Sequence, residues 1–263
     1  MLLLKKSLGQ HFLTDKNIIK KIIKLDDLKN QTIFEIGPGS GNLTEFIVKE
    51  KPKKIVLVEK DLRLYELLKE KFKSENNLEI YNEDILKYDL NNSLFENTII
   101  LGNLPYNIST QILVKFINLK TWPPFFKKII FMFQEEVANR ILAKSKTREY
   151  GRIAILTNFR LDVVNSFKIS RNCFFPRPDV DSKIIVFEPK TKIKHKIKNI
   201  KNLEKITNVF FSNKRKMINK PFSKIFSEYK DVAKKLKINL KLRPSELSNN
   251  DYYKLTEYYE KSF

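Results

Sequence analysis

From residue 32 to residue 187 the chain trades short apolar runs against stretches of helical periodicity, and few folds accommodate that exchange. Residues 32–36 read as a strand, 37–41 as a glycine loop, 43–50 as a helix and 54–58 as a second strand. The pattern continues with a helix over 62–72, extended segments at 78–81 and 98–101, a helix over 111–119, a buried strand at 129–133 and a helix over 135–143. Two further apolar segments, 153–159 and 184–187, read as the last strands. Repeated βα units build a doubly wound, mainly parallel sheet, which binds ligands at the carboxyl ends of its strands. Upstream, Thr14 or Asp15 caps a helix whose Ile18, Ile19, Ile22 and Ile23 share one face. Past Pro189 the pattern changes: 191–201 is a lysine-rich linker, followed only by short helical patterns at 203–210, 232–236 and 252–259. The chain therefore divides into an α/β domain over 1–190 and a small all-helical domain over 191–263.

Chemistry is concentrated at the strand ends. Glu35-Ile36-Gly37-Pro38-Gly39-Ser40-Gly41 lies between the first strand and its helix, where glycines let a ligand approach the backbone. A dinucleotide fingerprint needs its third glycine at position 42, which is Asn42; Gly41 comes one residue early. This spacing resembles motif I of the S-adenosylmethionine-dependent methyltransferases. In that reading Glu59, about 20 residues beyond the loop, binds ribose hydroxyls, and Asp84 binds the adenine amino group. Taken singly, Glu59 also fits a surface charge beside Lys60, and Asp84 a turn residue. The fourth station is Asn103-Leu104-Pro105-Tyr106, after the apolar run 98–101. A side-chain amide and backbone carbonyls accept hydrogen bonds from a planar amino group, while Tyr106 offers a face for a base. The same tetrapeptide also fits an ordinary strand-to-helix turn.

Charge and cysteine content narrow the partners. Lys and Arg number 51 against 30 Asp and Glu, a formal net charge of +21, which points to a polyanion. Nucleic acid is favoured over membrane, because no apolar run approaches the ~20 residues of a spanning helix and no basic amphipathic helix with an aromatic face stands out. A single cysteine, Cys173, suits a reducing compartment, so a cytoplasmic protein is expected; methyl transfer to nitrogen has no need of its thiol. With His11 and His195 as the only histidines, no metal-ligand spacing is present, and no metal is expected.

Several stretches together resemble the KsgA family of ribosomal RNA adenine N6,N6-dimethyltransferases almost from end to end. They are Gly9-Gln10-His11-Phe12-Leu13, the glycine loop, residues 103–110, Glu135-Glu136-Val137-Ala138-Asn139-Arg140 with Tyr150-Gly151-Arg152, Phe174-Phe175-Pro176-Arg177-Pro178-Asp179-Val180-Asp181-Ser182, Phe211-Ser212-Asn213-Lys214-Arg215-Lys216 and Arg243-Pro244-Ser245-Glu246. The resemblance implies a class I methyltransferase sheet of Rossmann-like type and S-adenosylmethionine as cofactor. It implies a cofactor site lined by His11, Leu13, Gly37, Gly39, Glu59, Asp84 and Asn103, and catalysis by Asn103, Leu104, Tyr106 and Phe174. His11 stands where many members have Asn. Where the family pattern expects one stacking aromatic there are two; Phe174, two residues before Pro176, aligns with it, and Phe175 is read as core. The implied substrate is a pair of adjacent adenosines in the 3'-terminal hairpin of small-subunit ribosomal RNA, met free or in the assembling subunit, with a role in subunit biogenesis. Lys5, Lys6, Lys214, Arg215 and Lys216 are the candidate phosphate contacts, and a monomer is expected. The rival within the class is an Erm-like enzyme acting on large-subunit RNA; Leu104, the form of residues 9–13 and the tail at 243–246 favour the small subunit. No target-recognition domain remains for a DNA methyltransferase. An intact Asn103-Leu104-Pro105-Tyr106 argues against a purely binding role in ribosome assembly or mitochondrial transcription.

Overall fold

The computed structural model describes residues 11–90 and 96–262. A short strand β1 (Phe12–Leu13) leads into α1 (Lys16–Ile23), whose cap is Asp15: its Oδ1 accepts the amides of Asn17 and Ile18 at 2.8 and 3.0 Å. Then come β2 (Thr32–Ile36), α2 (Thr44–Lys49), β3 (Lys54–Glu59), α3 (Leu62–Lys71), β4 (Leu78–Asn82), β5 (Thr98–Asn103), α4 (Ser109–Ile117), β6 (Phe126–Gln134) and α5 (Glu135–Leu142). They are followed by α6 (Arg152–Arg160), β7 (Leu161–Ile169), β8 (Phe174–Phe175) and β9 (Ser182–Pro189). Four more helices close the chain: α7 (Ile200–Phe211), α8 (Asn219–Ile225), α9 (Tyr229–Leu236) and α10 (Asn249–Ser262).

Seven strands form one sheet in the order β4-β3-β2-β5-β6-β9-β7. The pairs β4/β3, β3/β2, β2/β5 and β5/β6 are parallel, and β9 runs antiparallel to β6. Central strands β2 and β5 are buried almost throughout because helices cover both faces, which is why they read as unbroken apolar runs. The order reverses direction between β2 and β5. A crevice opens there at the carboxyl ends, and it receives the glycine loop and Asn103.

The described residues fall into two compact units. One holds the chain up to Lys115 together with Thr121–Ala138 and Val163–Pro189; the other holds Phe116–Lys120, Asn139–Asp162 and the chain from Lys190 onward. Sequence patterning divides the chain once, near 190, whereas the helical unit also takes in two earlier segments. One of those carries a correction: residues 153–159 are not a strand but the body of α6. Nearly every side chain of α6 is buried, so the run shows no polar face, and periodicity alone cannot tell a buried helix from a buried strand. At its end Arg160 Nη1 donates to the carbonyls of Ile117 and Leu119 at 2.6 and 2.7 Å, closing the carboxyl terminus of α4. The linker is likewise more tied down than its lysines suggest. Glu257 Oε1 accepts the Lys196 amide at 2.6 Å, while Glu260 accepts those of Lys198 and Asn199 at 2.7 and 2.9 Å. Phe210, Phe222 and Tyr252 form the aromatic centre of this unit.

Among the described residues no helix is long and apolar enough to cross a membrane, and no group of three His, Cys, Asp or Glu is placed to hold a metal ion.

Candidate active site

One cleft gathers the strand ends. Its walls come from β1, the glycine loop, the ends of β3 and β4, and residues 103–108, and they include His11, Gly37, Gly39, Glu59, Asp84 and Asn103. The loop turns tightly: Gly37, Gly39 and Gly41 all have positive φ, at 63°, 60° and 77°. At Gly39 the conformation and the space coincide, since a Cβ there would stand 2.6 Å from the Phe12 ring. The loop backbone is thus pressed against β1, and only glycine allows it.

Glu59 ends β3 with its carboxylate already positioned. Oε2 accepts the Gly39 amide at 3.2 Å and Oε1 the Asp61 amide at 2.8 Å, which leaves each oxygen a second lone pair for hydroxyl donors in the cleft. Burial raises its pKa, against the lowering effect of those amides. Asp84 behaves oppositely. Its Oδ2 pairs with Lys60 Nζ at 2.8 Å and its Oδ1 accepts the Leu86 amide at 2.9 Å; chiefly through Lys60, its pKa is lowered and the carboxylate stays ionised. Beneath the loop, Glu35 is sealed from solvent, accepts a 2.7 Å bond from Thr44 Oγ1, and has its pKa pushed up to about 7, mainly by burial.

Asn103 supplies a polar group to the cleft that Tyr106 also lines. Its Nδ2 donates to the backbone carbonyl of His11 at 2.8 Å. A carbonyl only accepts, so the amide is fixed one way round and Oδ1 is left as the acceptor. Leu104 is buried, so its side chain anchors the tetrapeptide and its peptide carbonyl is what it can offer. Tyr106 is half-buried between two partners: its hydroxyl lies 2.7 Å from Ser182 Oγ, and its ring stacks on His11 at 5.6 Å with 26° between planes. The His11 ring is in turn fixed, with Nδ1 2.8 Å from the Pro176 carbonyl.

A sequence profile described as "Ribosomal RNA adenine dimethylase" matches residues 1–261 of the chain. The chain belongs to this family. Curated relatives agree: "Ribosomal RNA small subunit methyltransferase A" of Pelagibacter ubique is 47% identical over 256 residues, covering 97% of each chain. The protein so named from Mycoplasma mobile is 38% identical, covering 94% of this chain and 95% of its own. Among solved structures, a dimethyladenosine transferase from Plasmodium falciparum superposes with a TM-score of 0.76 at 27% identity, covering 95% of this chain and 97% of its own. The 23S rRNA methyltransferase ErmE shares the fold, with a TM-score of 0.67 at 21% identity, over 95% of this chain and 99% of its own.

Against this adenine dimethylase frame, two of the residues expected at the site lie elsewhere. Leu13 is buried in the core and lines a smaller adjacent cavity with Phe12, Gly37 and Asn103 rather than the main cleft. The twin aromatics differ in exposure: Phe174 is 4% exposed and packs into the core beside Leu13, while Phe175 is 63% exposed. The cause is the β1/β8 ladder. Leu13 faces Phe174 and Phe12 faces Phe175, so one pair points inward and the other shares the face on which Phe12 lines the cleft. Phe12, Lys60 and Ser182 were not legible as site residues. Phe12 and Lys60 flank motif positions without carrying a functional signature of their own, and Ser182 becomes significant only through a partner 76 residues away.

Of the candidate phosphate contacts, Lys5 and Lys6 lie outside the described residues. Arg215 and Lys216 are exposed. Lys214 is half-buried and spends its ammonium on the Arg148 carbonyl at 2.5 Å; burial, then Arg140 nearby, lowers its pKa.

Proposed function

We propose that this chain transfers methyl groups from S-adenosylmethionine to the exocyclic amine of adenine in small-subunit ribosomal RNA, twice at each base. The observation that carries the reading is the one-way anchoring of Asn103, which leaves its amide oxygen as an acceptor in the cleft that Tyr106 also lines. Family membership and the names of the relatives support the RNA substrate and its subunit.

The cleft fits the cofactor by its donor set. Glu59 offers two part-occupied carboxylate oxygens for ribose hydroxyls, Asp84 an ionised carboxylate for an adenine amino group, and Gly39 a close backbone approach. When bound, the cofactor supplies an electrophilic methyl group on a sulfonium. The residues of the chain then act by positioning. Asn103 Oδ1 and the Leu104 carbonyl accept the two hydrogens of the target amine, drawing its lone pair out of conjugation and aiming it across the cleft. Tyr106 and Phe175 hold an adenine swung out of its stack, each stacked face contributing on the order of 1–3 kcal/mol against the cost of extrusion. No side chain is asked to be a strong base, because the amine releases its proton only as positive charge builds on it. Orientation and exclusion of water supply the acceleration.

Replacing Asn103 with Ala is the direct test. Methyl incorporation into small-subunit particles from an unmethylated strain should fall about a hundredfold or more, while cofactor affinity by calorimetry changes only a few-fold. Incorporation near the wild-type rate removes Asn103 from the chemistry. Methyl transfer by the wild type to large-subunit particles instead would transfer the assignment to that substrate.

A further inference from the structure

We infer that Ser182 is a positioning residue for methyl transfer: its buried hydroxyl fixes the plane of the Tyr106 ring against which the target adenine is held. The inference rests on the function proposed above and assigns a role to a residue outside the cleft.

Ser182 opens β9 and is completely buried. Within the strand Ile184, Ile185, Val186 and Phe187 are all buried, the apolar content expected of a strand covered on both faces. A hydroxyl in that setting carries a desolvation cost unless it is hydrogen-bonded, and an alanine would fill the site without one. The hydroxyl does have a partner, Tyr106 Oη at 2.7 Å. Ser182 is itself held in the sheet, where it pairs with Gln134 of β6, so the bond ties the Tyr106 ring to the β6/β9 ladder.

A tyrosine ring has two torsions to fix. The hydroxyl anchor restrains the direction of the ring axis, and the His11 ring on one face restrains rotation about it. In the proposed complex the base stacks on the face away from His11. Burial raises the Tyr106 phenol pKa above its ordinary value, so the hydroxyl remains protonated at neutral pH and the anchor persists. Preorganising a stacking surface in this way removes an ordering cost that would otherwise fall on the reacting complex.

The test is a double-mutant cycle that breaks the same bond from each side, Ser182→Ala and Tyr106→Phe, with Asn103→Ala and wild type assayed alongside. Each single variant should lose about tenfold in kcat for RNA methylation, the scale of one well-placed hydrogen bond, with cofactor affinity close to wild type and a melting temperature lowered by the polar group left unpaired. The double variant should be no slower than either single variant, and the Tyr106→Phe ring, which keeps its stacking face, should still bind RNA. Because the second methylation has less room for misalignment, monomethyladenosine should accumulate in both variants. Wild-type kcat in Ser182→Ala, or losses that multiply in the double variant, would overturn the inference while leaving the proposed function intact. If wild type itself transfers no methyl to small-subunit RNA, the proposed function fails instead, and if Asn103→Ala remains active, only the role of Asn103 does. Should Ser182→Ala melt well below wild type, Tyr106→Phe alone decides, since it deletes only an oxygen: kcat at the wild-type level there rejects the anchor.

Discussion

Glu35 shows how far a single side chain can depart from its expected behaviour once it is sealed beneath a glycine loop. Its carboxyl keeps a proton to about pH 7, against an ordinary value of 4.5, because the charged form would be stranded away from water and near Glu59. A carboxyl held in its protonated form longer in the folded chain than in the unfolded one contributes stability below its unfolded pKa. That contribution is lost as pH climbs toward the folded pKa, on the order of 3 kcal/mol for a gap of this size. Melting temperature should therefore drop between about pH 4.5 and 7, and Glu35→Gln, which keeps an acceptor for Thr44 but cannot ionise, should flatten that part of the curve. An unchanged pH profile in the variant would assign the slope to other groups. That Glu59, Asp84 and Asn103 come together at one cleft was legible in the sequence, because each follows an apolar strand run and parallel strands gather their carboxyl ends. Ser182 and the His11 carbonyl were not, since their importance lies in which distant atom they meet.

At the scale of elements, the two-residue strand β8 makes the sharpest distinction. Strand geometry sends adjacent side chains to opposite faces, so Phe174 and Phe175 cannot share a role. Phe174→Ala opens a hole in the core beside Leu13 and should cost about 3–5 kcal/mol in denaturant titration. Phe175→Ala should shift stability by less than about 0.5 kcal/mol, yet raise the KM for RNA several-fold. A reversal of those two outcomes would restore the base-stacking role to Phe174. The twin aromatics could not be ranked from sequence because register is set by pairing with β1, which lies more than 150 residues upstream. Strand–helix alternation was readable wherever one element had a distinct polar face or a glycine boundary. It failed at α6, buried nearly all round, and at β7, an edge strand whose middle is exposed and whose alternation is correspondingly weak.

For the whole molecule, the excess of 21 positive charges is the property a ribosomal substrate meets first. Affinity for RNA should fall steeply with salt as counterions are released. Reversing the charge of Arg215 and Lys216 together, both exposed, should weaken RNA binding and lessen the slope of log affinity against log salt by about one for each phosphate these side chains neutralise. A slope equal to wild type would show that these two side chains face solvent only. The order of the sheet also bears on how the protein is made. Every residue lining the cofactor cleft lies between His11 and Ile108, yet Pro176 and Ser182, which hold the His11 and Tyr106 rings, are translated much later. Strand β7 leaves the ribosome before β9 but takes its place outside it, so it cannot join the sheet until β9 has docked on β6. A nascent chain thus makes the strand ends of its cofactor cleft well before the residues that pair with β1 and lock the base-holding aromatics.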